Sequence, residues 1–359
     1  MTLFDPTPPE DASFDAGRLA DAVAFAEAHE TPWPRDVGRH LENGRFLDRE
    51  FGAIIGPTRP RGGPAGLIVR AGKLVVSWGD IDRADMTFSV TKSVMSAVAG
   101  IAFDRGLLPD LDAPVADLVK DGGFEGPHNG AITWRHLLQQ TSEWEGTLWD
   151  KPDLVDRNRN VGGGDNSRKG DHRDLREPGT YWEYNDVRVN RLSLALLRVL
   201  GRPLPEVLKG DIMDPIGASD GWEWHGYENS WVDVAGQRVQ SVSGGGHWGG
   251  GMFVGAMDLA RLGLLYLNGG LWGGRRILSK AWIELTRGPC AIYPTYGFLW
   301  WLNTGRKLFS SAPETSFFAL GAGGHVVWID PDHDMVAVMR WLDETHHDGF
   351  MKRVAGAIR

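Results

Sequence analysis

The chain has 359 residues and a mass of 39.5 kDa, and its 42% hydrophobic and 24% charged residues are typical of a globular protein rather than a collagen-like or disordered one. No stretch is apolar over the roughly 18 residues that a membrane helix needs. With 47 acidic and 38 basic residues the formal net charge is -9, which disfavours nucleic acid or an anionic membrane as the main partner.

The first residues, MTLFDPTPPEDASFD, contain no basic region and no apolar run of the secretory-signal type. A cytoplasmic protein is therefore expected if Met1 is the natural start. The single cysteine, Cys290, allows no intrachain disulfide and no cysteine-based zinc site, and it is expected to be a buried small hydrophobe.

The predicted elements change type along the chain. Apolar residues at helical spacing predict a helix over 16–30, and alternation over 65–80 predicts a hairpin that turns at Ala71-Gly72. Helical patterns then follow at 91–108, 132–142, 185–201 and 203–213, interrupted by a polar, glycine-rich segment at 157–173 that predicts a mobile loop or lid. Strands are predicted at 296–303, 317–330 and 334–342, with a final helix from about His346.

Strands at both ends with helices between them predict an α+β fold, in which a mixed lobe receives an inserted helical lobe. The length also exceeds one ordinary hydrophobic core. We assign residues 1–86 and 276–359 to the mixed lobe and 87–275 to the mostly helical lobe, with the active site at their junction.

The sharpest local signal is Ser89-Val90-Thr91-Lys92 at the start of an apolar helix. The i, i+3 spacing places both side chains on one face. A serine at the first helical turn lies beside unpaired amides, and a desolvated lysine loses its proton more readily and could accept one from the serine. Taken alone, the pattern is weak, and an N-capping serine with a solvated lysine is the favoured interpretation.

The order of further segments changes this interpretation. FSVTKSVMSAVAGIAFDRGLL is followed by ITWRHLLQQTSEWEG, EPGTYWEYND, SGGGHWGGGMFVGAMDLARLG and GAGGHVVWIDPD. Together, from about Ala65 to about Trp341, they resemble the serine-reactive family of class C β-lactamases, penicillin-binding-protein-like esterases and 6-aminohexanoate-dimer hydrolases. The resemblance implies a β-lactamase-like fold, an antiparallel sheet flanked by terminal helices, with Ser89 as nucleophile and Lys92 beside it.

The resemblance also implies that Tyr184 exchanges a proton with Ser89 and the leaving group, with Tyr181 as its nearest competitor. Asp186 stands where the family usually has an amide that contacts substrate. We assign Asp186 to substrate binding with this reservation, and Asn185 as the contact if the register bulges.

The family's third motif is a lysine or histidine, a small residue and a glycine on the strand that closes the site. Here Leu320-Gly321-Ala322-Gly323 stands in its place, without a cation. The Ala322 amide is expected to form the oxyanion hole with that of Ser89, and Gly321 and Gly323 to lie against substrate. The missing cation favours esters or amides over β-lactams.

Other motifs are weaker. Gly217-Ala218-Ser219-Asp220-Gly221 matches a nucleophile elbow without the required strand before it, and Gly244, Gly246 and Gly249 match a dinucleotide loop without a βαβ unit. The latter segment is instead expected at the floor of the site, with Trp248 in contact with substrate. Acidic and histidine clusters lack zinc spacing, so no metal and no cofactor are predicted. Tryptophans beside the motifs suggest an aromatic-walled pocket; they are Trp144, Trp149, Trp182, Trp248, Trp300 and Trp301.

We therefore predict a serine hydrolase that cleaves a small-molecule ester or amide through an acyl-enzyme. The alternatives are a β-lactamase or D-amino peptidase, and a catalytically silent binding protein of the same fold. Neither a nucleic-acid nor a membrane partner is expected, and the sequence does not determine the oligomeric state.

Overall fold

The computed structural model describes residues 3–43, 50–161 and 164–359. Its helices are α1 (Ala16–Ala28), α2 (Val37–Asn43), α3 (Val90–Asp104), α4 (Gly126–Asn129), α5 (Trp134–Leu138), α6 (Asp186–Leu200), α7 (Leu204–Leu208), α8 (Ala256–Leu267), α9 (Lys280–Thr286) and α10 (His347–Ala357). Its strands are β1 (Ala65–Arg70), β2 (Lys73–Trp78), β3 (Asp85–Met86), β4 (Thr147–Leu148), β5 (Lys151–Pro152), β6 (Glu223–Val234), β7 (Gln237–Val242), β8 (Gly251–Val254), β9 (Leu271–Trp272), β10 (Arg275–Arg276), β11 (Trp301–Leu302), β12 (Phe317–Gly321), β13 (His325–Asp330) and β14 (Met335–Arg340).

The main sheet is antiparallel and six-stranded, in the order β11-β12-β13-β14-β1-β2. Successive residues of β1 point to opposite faces: Leu67 and Val69 join the core that holds α3 and α8, whereas Ile68 joins the core under α1 and α10. All three side chains are buried. Because both faces are covered, the strands read as continuous apolar runs.

The α+β, β-lactamase-like fold class predicted from the sequence is confirmed. The 65–80 hairpin turns at Ala71-Gly72, where both residues have positive φ, as a tight type I′ turn requires. Helix α1 begins after Asp15, whose side chain accepts from the Arg18 amide. Helix α6 begins after Asn185 and ends at Gly201, which has a φ of +65°.

Two strand predictions need correction. Residues 317–330 form a hairpin rather than one strand, because Gly323 and Gly324 have φ of +81° and +89° and reverse the chain. A hairpin at 223–242 was missed, although it has alternating residues around the Ala235-Gly236 turn. A second sheet follows the order β3-β8-β6-β7.

Helix α3 is buried from Val90 to Ala102 and runs between the main sheet and the other helices. A helix that is apolar on all sides is expected in such a position. Helix α8 packs against β13 and β14 of the main sheet. It precedes residue 275, where the sequence placed the boundary between lobes, and that boundary stays a prediction.

Candidate active site

Ser89 lies at the N-terminus of α3, at the point where the chain leaves the second sheet. The preceding residue, Phe88, has a φ of +49°, a conformation that costs a non-glycine residue about 1 kcal/mol or more. Thr87 is held by two hydrogen bonds, from its amide and its hydroxyl, to the Met252 carbonyl. Ser89 is only half-buried although the residues around it are buried, and its side chain caps no helix amide. The capping alternative is therefore wrong, and the hydroxyl is free for other contacts.

Lys92 is buried, with 1% of its side chain exposed, so the solvated-lysine alternative is also wrong. Its ammonium Nζ donates to Ser89 Oγ at 2.9 Å and to the Gly244 carbonyl at 3.2 Å, and it lies 2.7 Å from Asp186 Oδ1. Burial disfavours the ammonium, but Asp186 and Tyr184 together outweigh burial and raise the pKa of Lys92. The expectation that desolvation makes Lys92 a proton acceptor is therefore corrected: the group beside Ser89 is a stable cation.

Tyr184 also lies near the Lys92 ammonium, which is 5.1 Å from the centre of the tyrosine ring. The ring is nearly buried and stacks on Trp301 at 5.6 Å between centroids. The competitor Tyr181 instead lies against the Arg173 guanidinium, 4.4 Å from the ring centre. Of the two tyrosines weighed from the sequence, Tyr184 is the one beside Lys92.

Asn185 and Asp186 do not have the substrate-binding roles expected for them. The side-chain oxygen Oδ1 of Asn185 accepts hydrogen bonds from the backbone amides of Val187 and Arg188. Its side-chain nitrogen Nδ2 donates to the backbone carbonyl of Asp153. Asn185 is fully buried as the N-cap of α6. Asp186 is 1% exposed and uses its carboxylate on Lys92.

The β12–β13 hairpin closes the site against the start of α3. A Cβ built on Gly321 would lie 2.2 Å from the Thr87 carbonyl oxygen, so only glycine allows this approach. Ala322, the next residue, is half-buried in the turn. Neither its amide nor that of Ser89 is hydrogen bonded within the described part of the chain. Both amides are thus available as donors.

The last two predicted contacts are structural. Gly323 has a φ of +81° and is buried, and a Cβ on it would lie 2.7 Å from the Trp341 indole, so it serves the turn rather than a substrate. Trp248 is 1% exposed and its indole nitrogen donates to the Phe51 carbonyl at 2.8 Å. Its expected contact with substrate is corrected to core packing.

Behind Lys92 lies an ion network that the sequence analysis missed. Asp186 Oδ2 accepts from Arg159 at 2.8 Å, and Asp156 lies 3.4 Å from Arg159 and 3.2 Å from Lys169. His247 lies between the two carboxylates, 3.3 Å from Asp156 and 3.5 Å from Asp186. Burial would raise the pKa of Asp186, but Lys92 and Arg159 lower it to about 2.

The segment 157–173, expected to be a mobile lid, is attached to the site by ion pairs through its described residues. Besides Arg159 and Lys169, Arg157 pairs with Asp153 at 2.8 Å. Arg173 pairs with Glu143 at 2.6 Å and with Glu183 at 2.7 Å. The described residues of the segment form no helix or strand, as predicted, but its cations attach it to the site.

The grouping of Asp156, Asp186 and His247 brings ligand-type atoms within 4.8 Å of one another. Three cations, Lys92, Arg159 and Lys169, already neutralise the two carboxylates. A divalent ion would have to displace them, so we interpret the group as part of the ion network and propose no metal site there.

The rejected motifs have structural roles. Ser219 donates to Asp258 at 2.6 Å in a turn outside the site. Gly244 lies at the floor of the site, where its carbonyl accepts a hydrogen bond from Lys92. Of the six tryptophans, Trp182 and Trp301 contact Tyr184. Trp144, Trp248 and Trp300 are buried elsewhere in the core, and Trp149 is partly buried against it.

Comparison with known proteins decides the family. The beta-lactamase family model matches residues 63–348. The chain belongs to the beta-lactamase family.

The chain is similar in sequence to a named hydrolase and in fold to several solved structures. A 6-aminohexanoate-dimer hydrolase from Paenarthrobacter ureafaciens is 25% identical over 298 residues, which cover 74% of this chain and 69% of that protein. The structure of a family VIII carboxylesterase has a TM-score of 0.60 and 17% identity, and covers 95% of this chain and 96% of its own. A penicillin-binding protein homologue from Caulobacter crescentus has a TM-score of 0.58 and 17% identity, with 94% and 96% covered.

These matches confirm the family predicted from motif order and the prediction of a hydrolase of that family. No helix within the described ranges is long and apolar enough to cross a membrane.

Proposed function

We propose that this protein is a serine hydrolase that cleaves an ester or amide of a small molecule through a covalent acyl-enzyme on Ser89. The observation that carries the proposal is the position of the Lys92 ammonium. It donates to Ser89 Oγ at 2.9 Å, pairs with Asp186 at 2.7 Å and faces the Tyr184 ring at 5.1 Å.

Acylation begins with attack of Ser89 Oγ on the substrate carbonyl carbon. Tyr184, as phenolate, takes the hydroxyl proton as the new C–O bond forms. The negative charge on the carbonyl oxygen is held by the amides of Ser89 and Ala322, at the positive end of α3. Tyr184 then gives its proton to the leaving oxygen or nitrogen as the old bond breaks.

Deacylation reverses these roles. The Tyr184 phenolate takes a proton from a water molecule as the water oxygen attacks the acyl carbon. The bond between that carbon and Ser89 Oγ then breaks, the phenol returns the proton to Oγ, and the carboxylic acid leaves. Lys92 keeps its proton throughout and stabilises negative charge on Ser89 Oγ and on the Tyr184 oxygen.

The surroundings favour esters and amides over β-lactams. Leu320 occupies the position where the family has a cation, so this strand offers no charge for a β-lactam carboxylate. Beside Tyr184, Trp182 stacks on Tyr293 at 3.7 Å and meets Trp301 edge-on at 6.1 Å. Such aromatic surfaces suit an apolar acyl group. A relative named as a carboxylesterase supports this choice.

Intact mass after fluorophosphonate treatment tests the nucleophile. The wild type should gain one adduct and Ser89→Ala none, and Ser89→Ala should lose at least about 1,000-fold in turnover of short p-nitrophenyl esters. Full turnover by folded Ser89→Ala would refute the acyl-enzyme. A chromogenic cephalosporin distinguishes the β-lactamase alternative, and absence of any adduct on folded wild type favours a silent binding protein.

The cytoplasmic location, the lack of a nucleic-acid partner and the two-lobe boundaries stay predictions from the sequence.

A further inference from the structure

Tyr184 faces a second buried cation, supplied by the docked 157–173 segment. The Arg159 guanidinium carbon is 5.2 Å from the centre of the Tyr184 ring, nearly the same distance as the Lys92 ammonium. Only 12% of the Arg159 side chain is exposed. The tyrosine ring thus lies near two cations, one from α3 and one from the segment.

The ion pairs next to Tyr184 contain more cations than carboxylates. Asp156 and Asp186 supply two negative charges, and Lys92, Arg159 and Lys169 supply three positive ones. These five groups, all largely buried, therefore leave a local excess of positive charge near the Tyr184 ring. Such an excess stabilises negative charge that develops on the tyrosine oxygen during proton transfer.

The interaction is also visible from the side of the cations. Burial opposes the charge of Arg159, but Asp156, Asp186 and the negative form of Tyr184 outweigh burial and raise its pKa. Electrostatic interaction is mutual, so a cation stabilised by the phenolate stabilises the phenolate equally.

We propose that Arg159 is a positioning residue that stabilises negative charge on the Tyr184 oxygen and so assists the transfer of the Ser89 proton to Tyr184. The proposal rests on the proposed function, because it requires Tyr184 to take that proton. Arg159 does not itself exchange a proton or touch the substrate. Recognition of a substrate carboxylate by Arg159 is disfavoured because its guanidinium is already paired with two carboxylates.

The other titratable groups of this cluster have to be held constant in a test. They are Lys92 of α3, Asp156, Lys169 of the docked segment, Asp186 of α6, His247 after β7 and Tyr296 before β11. For Tyr296, burial raises the pKa well above its usual range, so it stays protonated. The pH dependence of the wild type and of each variant is therefore compared in the same buffer and at the same salt concentration.

The test is the pH profile of kcat/KM on a p-nitrophenyl ester. In Arg159→Gln the acidic limb should move upward by about one pH unit, with kcat/KM near neutral pH falling about tenfold, since one unit charge about 5 Å away is lost. Arg159→Lys should restore most of both. Arg157→Gln is the matched control: it removes a buried arginine of the same segment that pairs with Asp153 instead, and it should leave the limb in place.

A wild-type limb in folded Arg159→Gln overturns the proposal. If that variant does not fold, Asp156→Asn gives a second test of opposite sign, because removing a negative charge should move the limb to lower pH. An unmoved limb there overturns the proposal as well. Tyr184→Phe separates the two levels: full turnover in Tyr184→Phe refutes the proton role itself, whereas loss of turnover there with an unmoved limb in Arg159→Gln refutes only the role of Arg159.

Discussion

The Ser89 side of the site and the Tyr184 side differ in what surrounds them. Ser89 begins a helix that is enclosed by apolar side chains and by a glycine strand lying against the Thr87 carbonyl. Tyr184 is bordered by ion pairs. Two of their cations, Arg159 and Lys169, belong to the 157–173 segment, whose described residues form no helix or strand. The packed side, around Ser89, is stabilised by close packing, which tolerates little change of side-chain shape. The charged side, around Tyr184, is stabilised by ion pairs, which tolerate changes of shape but not of the sign of a charge.

Lys92→Met is the largest change because Lys92 belongs to both sides. It should lower kcat by about 1,000-fold or more and destabilise the fold by about 3 kcal/mol, since Asp186 loses a buried partner. Ester turnover and urea unfolding measure the two effects. The double variant Lys92→Met/Asp186→Leu should regain stability but not activity. A single variant as stable as wild type would contradict the importance of this pair.

Gly321→Ala tests the packed side alone. The added methyl would lie 2.2 Å from the Thr87 carbonyl oxygen, so either Thr87 or the hairpin has to move. We expect a loss of about 1–3 kcal/mol in unfolding free energy and of about 10- to 100-fold in kcat, because Ser89 and Ala322 no longer align. Gly356→Ala in α10 is the control, since a Cβ there meets nothing within 4 Å. Equal behaviour of the two variants would show that the close approach is unimportant.

The smallest of the three effects is expected on the charged side, as a loss of folding stability at acidic pH. Burial would raise the pKa of Glu143, but hydrogen bonds from Arg173 and the charge of Arg188 lower it from 4.5 to about 2. A group with a lowered folded-state pKa stabilises the fold above its unfolded value, and this stability is lost as the pH falls from about 4.5 to about 2. Urea midpoints should decline less steeply over this range in Glu143→Gln than in wild type. Parallel declines would assign the acid sensitivity to other carboxylates.

The sequence predicts the packed side well because its signals are local. Ser89 and Lys92 lie three residues apart on one helix. A glycine within a strand, such as Gly321, indicates that another part of the backbone approaches closely. The charged side depends on ion pairs between residues that are distant in sequence, such as Arg159 with Asp186. No periodicity in 157–173 predicts these pairs. Burial explains the remaining errors: Asn185 and Trp248 look like surface or pocket residues by type, but the fold encloses both.

The strand order has a consequence for synthesis of the protein. β1 pairs with β14, so the centre of the main sheet joins residues 65–70 to residues 335–340. The hairpin that carries Ala322 also lies late in the chain, whereas Ser89 and Lys92 are made early. A chain still emerging from the ribosome therefore cannot bring the amides of Ser89 and Ala322 together until more than 320 residues have been made. Under the proposed mechanism, reactivity toward acyl donors is expected only after the sheet has closed.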